Sequence, residues 1–419
     1  MPTLTGEGSG PRTASPDDLR MQMVSALIAW RTEVGSRLDP AVEAAMMVVP
    51  RHLFLPGTSL EEAYRPHHAV VTRRGADGRA YSSVSAAGIV AMMLTQLQVR
   101  PGDRCLEIGS GGYNAALLAR LAGPAGRVTS VDIDPVVAER ARSCLTAAGY
   151  DDVAVHCADG EYGAPDAAQY DRIIVTVQTT DIPPAWREQL TDGGRLVVPL
   201  TMRGVSRAVA FTLTEGVLVS DDYEVCGFVP MQGAGAPDSS IVSLHGGQVR
   251  LDTDPGQQAD AAALDAALAM PRVERWTGVM TGRDEPYMEH LGLWLATQLP
   301  QFCVLSADRE AVEAGVVEPT WAALGTPAVT DGTSFAYRAW RDEGSPDGAE
   351  IGVYAHGPNA EPLAAALAGA HQDWDREQRH LPPARINVHP AGAPRSRLPE
   401  GYVLDRPHSR LVITWPRPS

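Results

Sequence analysis

The sequence predicts an α/β protein with a doubly wound, mostly parallel sheet, followed by a second, α+β domain. Three observations support this prediction. Short apolar runs alternate with helical periodicity between residues 104 and 199, a glycine-rich turn follows the first run, and the chain has 419 residues. Such alternation is typical of a parallel sheet with helices on both faces. A chain of this length exceeds one compact core, so two domains are expected.

The segment before the sheet is predicted to be mainly helical. Residues 1–18 are polar and proline-containing, and we expect them to be disordered. Helical periodicity covers about residues 19–47, and the proline-punctuated run 48–56 is predicted to be a packed loop. A further helix is predicted from Val84 to Leu97, with Ser82 or Ser83 near its N-terminal cap.

The alternating region is predicted to hold strands at 104–108, 127–133, 153–156, 172–177 and 195–199, with helices at 115–121, 135–148 and 184–190. Two β-rich segments, 208–214 and 217–220, are expected to form an antiparallel hairpin turning at Glu215-Gly216. A stretch rich in Gly, Ala, Pro and Asp begins at about Gly233 and is predicted to be a linker. The first domain is therefore placed at 19–233 and the second at 234–419.

Composition narrows the function classes. A net charge of −16 disfavours a nucleic-acid partner, because phosphate binding needs a basic surface. The apolar runs are too short for a membrane span, so no membrane association is expected. Five scattered cysteines without a Cys-x-x-Cys pair argue against a zinc site and a disulfide framework, and they favour a reducing cytoplasm.

The most informative motif runs from Glu107 through Gly109, Ser110, Gly111 and Gly112. A strand, a tight turn and a helix are predicted there, which lets backbone approach a ligand closely. Glycine-rich turns of dinucleotide enzymes hold an anionic pyrophosphate, whereas a carboxylate inside the turn suits a cation. S-adenosylmethionine, with its sulfonium and amino groups, is such a ligand. A tight turn in an unrelated strand–turn–helix unit is the alternative.

The order of motifs over residues 20 to 233 resembles the protein-L-isoaspartate (D-aspartate) O-methyltransferase family. The matching segments are Val49-Pro-Arg-His-Leu-Phe-Leu-Pro56, Ala63-Tyr64, Ser83-Val-Ser85, Asp132, Asp159-Gly160, 170–176 and 189–199. The resemblance implies a Rossmann-like fold of the class I S-adenosylmethionine-dependent methyltransferases. It also implies S-adenosylmethionine as the cofactor.

The resemblance also implies roles for individual residues. Glu107 is expected near the methionine end of the cofactor, Asp132 at the ribose hydroxyls and Asp159 at the adenine amino group. The remaining predicted cofactor-binding residues are Ser82, Gly109, Ser110, Gly111, Gly112, Asn114, Ile133 and Gly160. Ser85, with Ser83 beside it, is predicted to be catalytic by orienting the acceptor carboxylate. Capping of the following helix is the alternative for these serines.

No strong general base is expected, since an Asp carboxylate is already ionised at pH 7. Positive charge is concentrated before the serines, and it is predicted to attract a carboxylate substrate. The predicted substrate-binding residues are Arg65, His67, His68, Arg73, Arg74 and Arg79. A solvated loop with ordinary surface arginines is the alternative. No second ligand cluster accompanies the histidine pair, so no metal is predicted.

The departures from the family pattern suggest a substrate. Ser82 replaces a Gln, Ala86-Ala87 replaces an x-Pro pair, and a large C-terminal domain is added. These features resemble a variant branch found with ribosomally made peptides such as lanthipeptides, lasso peptides and graspetides. That branch methylates an ordinary Asp of a modified precursor peptide, and the ester collapses to an aspartimide that can hydrolyse to isoaspartate. The C-terminal domain is then expected to recognise the peptide.

Three alternatives stay open. One is repair of spontaneous isoaspartyl damage, and another is a peptide-binding protein with a vestigial methyltransferase domain. A methyltransferase acting on a small molecule is the third, although it leaves the basic segment and the added domain unexplained. Five tryptophans of the C-terminal domain are predicted to fill its core rather than to line a peptide groove: Trp276, Trp294, Trp321, Trp340 and Trp374.

Overall fold

The computed structural model describes residues 14–75, 78, 80–237, 240–254, 256–282, 287–321, 325–341 and 348–417. The α-helices are α1 (Pro16–Glu33), α2 (Pro40–Val48), α3 (Leu60–Ala63), α4 (Ala87–Leu97), α5 (Tyr113–Ala122), α6 (Pro135–Ala147), α7 (Pro184–Gln189), α8 (Ala261–Ala267), α9 (Tyr287–Gln298), α10 (Arg309–Glu313) and α11 (Ala360–Glu377). No helix among these residues is long and apolar enough to cross a membrane.

The strands up to the end of the first predicted domain are β1 (Val70–Arg74), β2 (Ala80–Val84), β3 (Arg104–Ile108), β4 (Arg127–Asp132), β5 (Ala154–Cys157), β6 (Tyr170–Val175), β7 (Leu190–Met202), β8 (Val205–Thr214) and β9 (Val217–Val225). The later strands are β10 (Ile241–Leu244), β11 (Val249–Asp252), β12 (Val273–Thr281), β13 (Phe302–Ala307), β14 (Thr326–Thr330), β15 (Phe335–Arg341), β16 (Ala349–His356), β17 (Arg385–Pro390), β18 (Tyr402–Asp405) and β19 (Ser409–Thr414).

The larger sheet has the strand order β18-β19-β17-β9-β8-β7-β6-β3-β4-β5. Strands β7, β6, β3, β4 and β5 pair in parallel, which confirms the predicted Rossmann-like α/β architecture. Strands β7, β8 and β9 pair antiparallel and confirm the predicted hairpin. Two apolar cores cover the two faces: α1, α2, α4, α5 and α6 contribute to one core, and α7 packs into the other with Trp186.

A second sheet of antiparallel strands has the order β10-β11-β13-β14-β15-β16-β12, and helices α9 and α11 pack on it. The last three strands, however, join the larger sheet, because β17 pairs with β9 through Asn387 opposite Val219 and Val388 opposite Leu218. Three strands from residues 234–419 therefore belong to the sheet of the first predicted domain. Without β17, strand β9 would be an edge strand with unpaired backbone N–H and C=O groups, and β17 pairs with these groups. The boundary at residue 233 stays a prediction.

Several local predictions need correction. The stretch of helical periodicity at about 19–47 forms two helices, α1 and α2. Residues 16–18, placed in the disordered segment, form the first turn of α1 because Ser15 and Asp18 form a capping box. Helix α4 begins at Ala87 after an Ala86 cap without a side-chain hydrogen bond, whereas Ser82 and Ser83 lie in strand β2. Capping is therefore not what these serines do.

Candidate cofactor and acceptor site

A cleft of about 610 Å³, including its open mouth, lies where β3, β4 and β6 end. These are the carboxyl ends of parallel strands, where ligands of open α/β sheets bind. The first wall comes from the turn after β3, and the second comes from Asp132, Ile133 and Asp134 after β4. Gly160, Thr176, strand β2 and the segment 229–232 complete the lining.

The glycine turn is shaped by contacts that only glycine allows. Gly109 has a φ of 89°, and a Cβ there would lie 2.6 Å from the Thr176 hydroxyl oxygen. The Thr176 hydroxyl donates to the Gly109 carbonyl oxygen at 2.9 Å, and the Gly109 N–H donates to Val131 at 2.8 Å. Thr176 lines the cleft and fixes the turn. Gly112 has a φ of 79° and precedes α5 as its N-cap without lining the cleft.

Asp132 ties the ends of two strands together. One carboxylate oxygen accepts the Ser110 N–H at 2.8 Å, and the other accepts the Asp134 N–H at 2.9 Å. Burial raises the pKa of this carboxyl, and the two backbone N–H groups oppose the shift. A carboxylate has about four lone-pair positions, so acceptor capacity remains on the cleft side. Asp132 and Ile133 both line the cleft, and the contact of Asp132 with the ribose stays a prediction.

Glu107 is fully buried and lines a second cavity of about 400 Å³ that adjoins the cleft. Asn114 donates to one carboxylate oxygen at 2.9 Å, and Ser130 donates to the other. Burial raises the pKa of Glu107 to about 7, although both donors lower it. Glu107 and Asn114 lie in this second cavity rather than in the cleft.

The three serines divide between the two cavities. Ser82 lines the cleft, Ser85 lines the second cavity, and Ser83 lines both. The Ser82 hydroxyl lies 2.9 Å from the Thr72 hydroxyl across the β1–β2 hairpin. Gly111 also lines both cavities, so the two spaces meet between the glycine turn and the end of β2.

Arg51 holds the backbone of Ser85 and was not singled out from the sequence. Its guanidinium is fully buried and donates to the carbonyl oxygens of Ser85 at 2.7 Å and Ala63 at 2.8 Å. It also lies over the Tyr113 ring at 4.9 Å. Burial lowers the pKa of Arg51. The signal was the Val-Pro-Arg block, which was used for the resemblance and not assigned a structural role.

The Asp159 carboxylate accepts two backbone N–H groups. One carboxylate oxygen accepts the Glu161 N–H at 3.0 Å, and the other accepts the Ala234 N–H at 2.8 Å. Its neighbour Gly160 lines the cleft, whereas Asp159 is not among the lining residues. Asp159 thus anchors the segment 233–235, which was predicted to be a linker. Its contact with the adenine stays a prediction.

The basic segment is only partly at the site. Arg73 pairs with the cleft residue Asp134 at 3.3 Å and lies 5.4 Å from the Tyr81 ring centroid. Arg74 donates to the Gly78 carbonyl oxygen at 3.0 Å. Arg65, His67 and His68 are exposed and do not line either cavity, and Arg79 lies outside the described residues. The substrate-binding role of Arg65, His67 and His68 therefore has no support from these two cavities and stays a prediction.

Other lining residues were missed by the sequence analysis. Tyr81 and Asp134 flank the predicted residues, and Val229–Gln232 close the cleft from the far side. Gln178 holds this last segment through backbone hydrogen bonds to Val229 at 2.8 Å and Met231 at 2.9 Å. No periodicity marks it, because it is an irregular strand-like segment ahead of the supposed linker. Cys157 is exposed at the end of β5.

The cleft fits a cationic ligand better than an anionic one. Asp132 and Asp134 face it, and no Lys or Arg side chain is among its described lining residues. Glu107 adds a buried carboxylate in the adjoining cavity. A Cβ at Gly109 would collide with Thr176, so only glycine lets the backbone follow this path along the cleft. These properties match the sulfonium and amino groups of S-adenosylmethionine.

Comparison with known proteins agrees with this chemistry. The family described as "Protein-L-isoaspartate(D-aspartate) O-methyltransferase (PCMT)" matches residues 22–235. A Methanoregula boonei protein named "Protein-L-isoaspartate O-methyltransferase" is 41% identical over 217 residues, which are 52% of this chain and 94% of that protein. A Methanopyrus kandleri protein of the same name is 38% identical over 223 residues, 52% of this chain and 96% of its own.

A solved structure named "protein-L-isoaspartate O-methyltransferase" shares 20% identity and a TM-score of 0.47, covering 85% of this chain and 92% of its own. The family match covers about half of the chain. The alignments with the two relatives cover nearly the complete length of each relative. The chain therefore belongs to the protein-L-isoaspartate (D-aspartate) O-methyltransferase family of S-adenosylmethionine-dependent carboxyl methyltransferases.

Proposed function

We propose that this protein methylates the side-chain carboxylate of an Asp-derived residue within a polypeptide, at the junction of the cleft and the second cavity. The observation that carries the proposal is that Ser83 lines both spaces while Ser85 lines the second. A ligand seated in the cleft is thereby placed beside two hydroxyl groups that can donate to a carboxylate. Donors aimed at the acceptor oxygen orient it for displacement.

The cofactor-facing roles divide along the two cavities. Asp132 and Ile133 would hold the ribose, Gly160 would lie against the adenine, and the turn from Gly109 to Gly111 would pass under the sulfur. Glu107, with Asn114 orienting it, would balance the positive charge of the methionine end. These assignments come from the family resemblance, and the lining residues of the two spaces support them.

S-adenosylmethionine supplies an electrophilic methyl group when it is bound. The substrate carboxylate is ionised at pH 7, so one of its oxygens can attack without a general base. A bond forms from this oxygen to the methyl carbon as the carbon–sulfur bond breaks, and the sulfur keeps the electron pair. Arg51 fixes the backbone that carries Ser85, so the hydroxyl is positioned before the substrate arrives.

Two acceptors are consistent with this site. The relatives are named for isoaspartate, which favours an isoaspartyl residue of a damaged protein. The second candidate is an ordinary Asp of a modified precursor peptide. Residues 236–419 beyond the family match, together with Ser82 and Ala86-Ala87, favour it. In that case the next backbone nitrogen attacks the methyl ester, loses its proton and releases methanol, which leaves an aspartimide.

Intact-mass spectrometry separates these acceptors. The protein is incubated with S-adenosylmethionine and a generic isoaspartyl peptide, and in parallel with a genome-neighbouring precursor peptide in linear and cyclised forms. Methylation of the isoaspartyl peptide supports a repair-type acceptor. A methyl gain followed by net loss of water from the precursor alone supports aspartimide formation.

If no mass changes and S-adenosylmethionine still binds, carboxyl methylation of peptides is refuted for these acceptors. The peptide-binding and small-molecule alternatives then come forward. Isothermal titration with S-adenosylmethionine distinguishes an intact cofactor site from a vestigial one.

A further inference from the structure

A large groove on the described surface has no role in the functions considered so far. It encloses about 2190 Å³, including its open mouth, between α1, α4 and β9. We call it the α4 groove and define it by Trp30, Val34, Ala86, Ile89, Asp222 and Trp321. Ala86 directly follows Ser85 in the chain, so a residue of the groove and a residue of the acceptor cavity are neighbours.

The α4 groove combines apolar contact area with an unused hydrogen-bond acceptor. Trp30, Ile89, Met92 and Trp321 supply apolar surface. Gln96 is 3% exposed, and its amide nitrogen donates to the Ala208 carbonyl oxygen at 3.2 Å and to Asp222 at 3.1 Å. Its amide oxygen has no partner among the described residues. A ligand N–H that reached this oxygen would supply the missing donor.

The acidic and basic side chains of the groove nearly balance in number, so the groove does not favour a polyanion. The lining includes the acids Glu33, Asp221, Asp222 and Glu224 and the bases Arg31, Arg37 and Arg195. Two arginines are already paired within the protein: Arg31 contacts Glu224 at 2.8 Å and Arg195 contacts Asp221 at 2.7 Å. Such a surface suits an uncharged backbone with mixed side chains.

We infer that the α4 groove binds an extended polypeptide segment next to the methyl-accepting residue. This inference rests on the proposed function, because it assigns the groove to the same substrate. Helix α4 has 11 residues and is thus about 16 Å long, the length of about five residues of extended chain. Trp321 lies outside residues 22–235, so the C-terminal region contributes to substrate recognition.

The test compares two matched substitutions, one within α1 and one at the residue that follows it. Val34 and Met21 are 44% and 49% exposed, but only Val34 lines the groove. We expect wild-type kcat/KM to be at least about tenfold higher for an isoaspartyl peptide extended by about six residues than for a minimal isoaspartyl tripeptide. Val34→Arg should lose most of this gain and Met21→Arg should keep it. Both variants should methylate the tripeptide as the wild type does.

A binding measurement keeps the inference separate from the proposed function. Anisotropy of the fluorescein-labelled long peptide is recorded with S-adenosylhomocysteine present, so no turnover is needed. Binding that is weakened by Val34→Arg and by Trp321→Ala, but not by Met21→Arg, supports the groove even if no methylation occurs. Absence of binding, or equal effects of the two arginine variants on binding and on length dependence, overturns the inference.

Discussion

The buried carboxylate of Glu107 makes a sharp prediction about pH and stability. Its pKa is about 7 in the folded protein against an ordinary value of 4.5, because burial disfavours the charged form. Both folded and unfolded states are protonated well below pH 4.5. As the pH rises toward 7, the unfolded state loses its proton first, so the folded state loses relative stability.

The size of this effect follows from the two pKa values. The two pKa values differ by about 2.5 units, and each unit corresponds to about 1.4 kcal/mol. The folded state therefore loses about 3 kcal/mol of stability in all, and at least about 2 kcal/mol of this loss falls between pH 5 and 8. Glu107→Gln removes the ionisation and retains an acceptor for Ser130. The Asn114 amide oxygen, which has no partner among the described residues, can accept from the new amide after turning.

The assay is urea unfolding of the cofactor-free protein from pH 5 to pH 8, followed by tryptophan fluorescence. Wild type should lose about 2 kcal/mol or more over this range relative to Glu107→Gln. Glu139→Gln is the control, since the Glu139 side chain is 70% exposed and the chemical change is the same. Parallel profiles for wild type and Glu107→Gln would refute a raised pKa at Glu107.

Three further predictions concern the turn and the acceptor cavity. Gly109→Ala should abolish S-adenosylmethionine binding in isothermal titration, because its Cβ would lie 2.6 Å from the Thr176 hydroxyl. Gly102→Ala, at φ 92° with nothing within 4 Å, should cost only about 1–2 kcal/mol of stability and leave affinity unchanged. Ser85→Ala should lower kcat about 100-fold at constant cofactor affinity, since it removes only orientation of the acceptor; a tenfold rise in cofactor Kd would contradict this role. Arg51→Lys should keep the fold but lower kcat more than it raises KM, because one ammonium cannot reach both carbonyl oxygens. A wild-type kcat for Arg51→Lys would refute its positioning role.

Local signals located most of the first sheet. Alternating apolar runs predicted strands β3 to β6, because each buried parallel strand needs a continuous apolar stretch and each crossover helix its own period. The sequence also showed the turn from Gly109 to Gly112, because a close approach of backbone requires glycine. It showed Asp132 as well, because a hydrogen-bond acceptor at the end of a strand requires a particular residue type.

Other features depend on contacts between residues far apart in the chain. The role of Arg51 depends on the carbonyl of Ser85, and that of Asp159 depends on the N–H of Ala234. Such bonds leave no trace in local periodicity. Likewise, serine residues before α4 are compatible with either a helix N-cap or the end of a strand. The pairing of β1 with β2 decides between these alternatives.

The sequence by itself determined the parallel half of the sheet, the glycine turn and the family, because these depend on residue types at short spacing. Only the tertiary structure decided that β17, β18 and β19 return to extend the first sheet, since strand pairing depends on which edge is free. It also decided which charges reach the site. Arg73 forms an ion pair with Asp134, which is distant in sequence, whereas Arg65 and His68 are exposed to solvent.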